Sequence, residues 1–132
     1  MHVLTLTRDK WKTFKEKNNL SKSSFFSKAD VGPHIDSFQK ALEDCKKSPG
    51  QKSLMAAFSK GETLNKAFEK FIGLKEAKDE LKPDAKKQLE TWRGELSAMV
   101  QGLAKLYKSS EKDLQAGDTK NLNSQLDQFV FK

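Results

Sequence analysis

The chain has 132 residues, 36% of them hydrophobic, with nine Phe, two Trp and one Cys, a size and apolar content that suit one folded domain and exclude a wholly disordered chain. One Cys excludes an internal disulfide and a cysteine-built zinc site. The longest unbroken apolar run, Leu54 to Phe58, is too short for a transmembrane helix or the core of a leader peptide. A leader removed before Met1 would leave no trace, and the lack of one in the chain points to the cytoplasm.

The formal charge is +7, and residues 1–30 hold seven basic groups against three acidic ones. The excess therefore marks out a basic, less regular N-terminal segment within a single domain over 1–132. Only Arg8 and Arg93 are arginine. Lysine is a point charge, whereas buried phosphate sites and base readers favour the planar, two-pronged arginine. Most of these lysines read as a solvated face, and the remainder as weak attraction to nucleic acid or an anionic surface.

Val3-Leu4-Thr5-Leu6-Thr7 is the one stretch of two-residue alternation and reads as an extended lead-in. Thr7 then caps a first helix over about Arg8 to Asn18, with a thin apolar side of Trp11 and Phe14. Asn18, Asn19 and the serines at 21, 23 and 24 predict a break, and Phe25, Phe26 and Ala29 a short helical turn. Pro33 opens the next helix, to about Lys47, with Ile35, Phe38, Ala41, Leu42 and Cys45 on one side.

Ser48-Pro49-Gly50-Gln51 resembles a capping box, with Ser48 as the cap of a third helix. Its apolar stripe runs from Leu54 through Gly61 and Phe68 to Ile72 and loses register beyond Gly73. That predicts a break at Gly73 and a short helix over Leu74–Leu81; the alternative is one straight helix between two neighbours. Pro83 opens a long helix to about Ala116, with a heptad-like seam from Ala85, Leu89 and Trp92 to Leu106 and Ser110. It would be about 50 Å long, so either its tip projects or Gly94 or Gly102 marks a bend. Gly117 suits the left-handed residue past its end. Asp118 can cap a last helix with Leu122, Leu126, Phe129 and Val130 on one face, which leaves Phe131 over. The expected fold is all-α: an up-and-down bundle of about five helices with a long antiparallel hairpin over 49–81 and 83–116.

Chemistry is sparse. His2 and His34 are the two histidines, and no Glu-x-x-His pair of a di-iron bundle occurs. The glycine-rich phosphate loops are missing. Ser37/Lys40 and Ser109/Lys112 match Ser-x-x-Lys about as often as composition alone provides. Glu76, Asp79 and Glu80 sit among lysines and read as helix-surface ion pairs. Cys45 falls on an apolar stripe and reads as a core thiol. The expectation is therefore no enzyme, no cofactor and no metal.

What remains is binding. Trp11, Phe25, Phe26 and Phe131 are aromatics that one helix face does not obviously absorb, and they are the candidate contacts to a protein partner or a second copy. The expected function is protein–protein interaction or self-association. The alternative is nucleic-acid or anionic-surface binding through Lys10, Lys12, Lys15 and Lys17, which are interleaved with Trp11 and Phe14. In that case the aromatics either join the contact or anchor the helix inward.

Overall fold

The computed structural model describes residues 2–18, 31–74, 81–117 and 120–131. In chain order these form β1 (His2–Leu4), α1 (Arg8–Lys17), α2 (Gly32–Lys47), α3 (Gln51–Ile72), α4 (Pro83–Gln115), α5 (Lys120–Leu126) and β2 (Phe129–Phe131). The expected turn at Phe25 and Phe26, the short helix after Leu74, the Glu76/Asp79/Glu80 cluster and the Asp118 cap lie outside the described residues.

The helices start and stop where local chemistry dictates. Thr7 caps α1, its hydroxyl accepting the Lys10 N–H at 3.4 Å. At the other end the Asn18 side-chain amide donates to the Phe14 carbonyl at 2.9 Å. Pro83 sits in the first turn of α4, and Gly117, at φ 79°, takes the left-handed step beyond it. α4 runs unbroken through Gly94 and Gly102.

One start signal misleads. Ser48 does not cap α3. It ends α2, its N–H donating to the Asp44 carbonyl, and an extended Gly50 occupies the cap of α3. The Ser53 hydroxyl donates back to the carbonyls of Ser48 and Gly50, so the turn is held from inside the following helix rather than by its cap.

α3 and α4 form the long antiparallel hairpin. Glu69 pairs with Arg93 at 3.5 Å, Gly61 meets Val100, and Gln51 donates to the Tyr107 hydroxyl at 3.0 Å. α2 lies against the other side of α3, with Phe38 over Gly61. The apolar stripes read from periodicity face the core, with Ala41 and Ile72 only partly buried, and their buried members form one cluster that includes Phe38, Leu64, Phe68, Leu96 and Met99.

The chain is not purely helical. β1 and β2 form a two-stranded parallel sheet, with His2 opposite Phe129, Val3 opposite Val130 and Leu4 opposite Phe131. Phe129 and Val130 thus belong to a strand rather than to the last helix, which ends at Leu126; the turn after it closes with the Gln128 N–H on the Gln125 carbonyl. The sheet rests on α4 at Gly102. A Cβ there would stand 2.8 Å from His2 Nε2 and 3.0 Å from Phe129 Cε1, so the missing side chain makes room for the His2–Phe129 stack, whose centroids lie 4.9 Å apart. Helix side chains cover polar groups at the sheet: just past β1 Glu95 accepts from the Thr5 N–H at 2.8 Å, and on β2 Lys46 donates to the Phe129 carbonyl. Such capping leaves less open edge for another chain to join.

Cys45 is wholly buried in α2. Burial pushes its thiol above the ordinary range, partly offset by hydrogen bonds from Ser53 and the Gly50 backbone. The native state therefore keeps its proton where the unfolded chain has lost it. Stability from this group is complete below the ordinary thiol pKa and is lost as pH rises through the raised one. Thiol reagents at pH 8 should label the native protein at least about 100-fold more slowly than the urea-unfolded chain. Equal rates would contradict the burial.

Candidate functional site

α1 is ten residues long, and its two apolar side chains lie three apart. Trp11 and Phe14 therefore share a side, and both point inward. Trp11 is wholly buried, edge-on to Phe71, Phe68 and Trp92 with centroids 5.2, 6.2 and 6.1 Å away, and stacked on Phe14 at 5.6 Å. Phe14 also meets Trp92 edge-on at 5.3 Å. Trp92 in turn donates its indole N–H to the Thr5 hydroxyl at 3.1 Å, and that hydroxyl donates to Glu95 at 2.7 Å. Arg8 adds an exposed pair with Asp36 at 3.2 Å.

Trp11 is accordingly a core residue and not a partner contact: α3, α4 and Phe14 of its own helix have already taken its surface. Phe131 is half-buried, set edge-on to Phe38 at 5.3 Å, so packing on α2 absorbs the aromatic that looked surplus. Phe25 and Phe26 lie outside the described residues. Met55, at 43%, is the large hydrophobic residue exposed among those described.

The basic candidates fare differently. Lys10, Lys12 and Lys17 are exposed and Lys15 is half-buried. With the aromatic side of α1 fixed in the core, these cations stand on its outer surface. His34 is half-buried in the first turn of α2.

Beside α1 lies a groove of about 790 Å³. α1 contributes Asp9, Lys10, Thr13 and Lys17 to it; Lys82, Asp84 and Gln88 come from the start of α4. Phe14, Ala85 and Trp92 provide its apolar lining. The α4 residues were not candidates on sequence, because they lie some seventy positions from α1 and no local pattern joins the two. A shallower groove of about 600 Å³ runs along Gln51, Lys52, Met55, Ala56, Ser59 and Tyr107, between α3 and α4. Among the described residues no three His, Cys, Asp or Glu gather as a metal site, and no helix is long and apolar enough to cross a membrane.

Comparison of the chain with protein-family models, curated proteins and solved structures finds no match.

Proposed function

We propose that this protein is a non-enzymatic helical domain that binds nucleic acid through its phosphate backbone, at the outer face of α1. The observation that carries this is the division of α1: Trp11 and Phe14 are buried, while Lys10, Lys12 and Lys17 stand in solvent. A helix that binds a membrane surface must insert an apolar face, and α1 has already committed its own to the core. Charge without free apolar surface suits a phosphate backbone better. The scarcity of arginine argues for backbone contact without base readout. Such a partner fits a cytoplasmic location, where a lone thiol also stays reduced.

The test is fluorescence anisotropy with labelled single-stranded DNA, duplex DNA and RNA, beside sedimentation with acidic liposomes, all at about 50 mM salt. Nucleic acid should bind, and replacing Lys10, Lys12, Lys15 and Lys17 together by Gln should weaken binding at least about tenfold, because fewer counterions are released. Binding to liposomes alone, or to nothing, would overturn the proposal.

Exposed Met55 favours a second reading, self-association along the shallow α3–α4 groove. Methionine adapts its shape to a partner surface. Light scattering would then show a dimer that Met55→Lys dissociates; a strict monomer in the wild type removes it.

A further inference from the structure

We propose that the groove between α1 and the first turns of α4 is a second binding site, for a nucleoside phosphate. Its volume of about 790 Å³ falls within the range of about 300–1,000 Å³ typical of small-molecule sites. It is much larger than a lone ion needs.

The lining chooses the ligand chemistry. Lys10, Lys17 and Lys82 offer cationic donors, whereas Asp9 and Asp84 offer carboxylate acceptors. A ligand with only negative charge would face two repulsive groups. One with an anionic end and N–H donors satisfies both sets. The floor adds a third requirement, because Phe14, Trp92 and Ala85 line it, buried apart from narrow exposed edges. A flat, heteroaromatic body is the shape that covers most of those edges. A nucleoside phosphate has all three parts: a phosphate for the lysines, base N–H groups for the aspartates and a ring for the floor. Thr13 and Gln88 also line the groove and carry groups that hydrogen-bond sugar hydroxyls.

The site shares Lys10 and Lys17 with the α1 outer face but is not the same surface. Lys12 and Lys15 do not line the groove, whereas Lys17 and Lys82 do. The two tryptophans also separate: Trp92 lines it and Trp11 does not. That gives an internal control within one spectrum.

The experiment is titration of the 15N-labelled full chain with AMP to about 10 mM, followed by the two indole N–H signals. The Trp92 indole should shift and saturate with a dissociation constant of about 1 mM or tighter while the Trp11 indole stays still. Adenosine and inorganic phosphate, each carrying part of the ligand, should bind at least about tenfold more weakly. Lys17→Gln with Lys82→Gln should weaken AMP binding at least about tenfold; Lys12→Gln with Lys15→Gln should leave it unchanged. Lys12, Lys17 and Lys82 are exposed and Lys15 is half-buried, so a thermal melt near wild type will accompany each variant. Four results would overturn the proposal: no saturable shift, equal movement of both indoles, phosphate alone binding as tightly as AMP, or no effect of the Lys17/Lys82 pair. A protein that binds AMP here but no oligonucleotide keeps the groove and loses only the lysine face.

Discussion

Replacing Trp11 by alanine is expected to remove about 3–5 kcal/mol of stability. That is a large share of the roughly 5–15 kcal/mol that keeps a domain folded. Trp11 is the hub of the aromatic cluster: it meets Phe14 of its own helix, Phe68 and Phe71 of α3, and Trp92 of α4. Alanine leaves a cavity among rings that are themselves tied down, since Trp92 is hydrogen-bonded to Thr5. Little collapse is available to refill it. Because Trp11 and Phe14 are the buried residues of α1, losing one loosens the helix that displays the lysines. Oligonucleotide binding should therefore weaken with no lysine changed. Urea melts and anisotropy on the same preparation check both effects. A loss under about 1 kcal/mol would show that Trp11 is not the anchor.

Gly61→Val should cost about 2–3 kcal/mol. A Cβ at Gly61 would stand 2.9 Å from Phe38 Cε1 and 3.2 Å from Val100 Cγ2, where α2, α3 and α4 converge. Phe38 is wholly buried and Val100 nearly so, so neither can swing aside. In an open helix interior the sign reverses: replacing a glycine usually gains about 0.5–1 kcal/mol, because the unfolded chain has less freedom to lose. Gly94 supplies that control. A Cβ there meets nothing within 4 Å, and Gly94→Ala should stabilise the protein. The pair of urea melts separates a packing glycine from an incidental one. Two variants that moved in the same direction would contradict the close approach at Gly61.

These two sites also show what the sequence could and could not reveal. Gly61 lay on the apolar stripe with Leu54, Leu64 and Phe68, and it is buried there. The long stripe of α4 was equally legible, from Ala85 to Ser110, because a sustained period averages over local noise. Thr7, Pro33, Pro83 and Gly117 carry their meaning in one residue each. Phe129–Phe131 was illegible: a strand of three residues is too short to establish a period, and its partner lies at the opposite end of the chain. Ser48 failed for another reason, since the same serine is chemically suited to end one helix or begin the next. Trp11 left two readings open, because two aromatics on a ten-residue helix define a side without saying what covers it. The answer came from Trp92, Phe68 and Phe71, far away in sequence. The groove was beyond reach for the same reason, with its walls at residues 9–18 and 82–92.

The central claim is that α1 displays its lysines to phosphate, and a salt series tests it most directly. A labelled single-stranded oligonucleotide is titrated at several salt concentrations with wild-type protein and with the variant carrying Gln at positions 10, 12, 15 and 17. For the wild type, the logarithm of the binding constant should fall linearly with the logarithm of salt concentration. The variant's slope should be shallower by up to about 3, because each phosphate that a lysine no longer neutralises on a single strand removes roughly 0.7. Identical slopes, or no wild-type binding at about 50 mM salt, would contradict it.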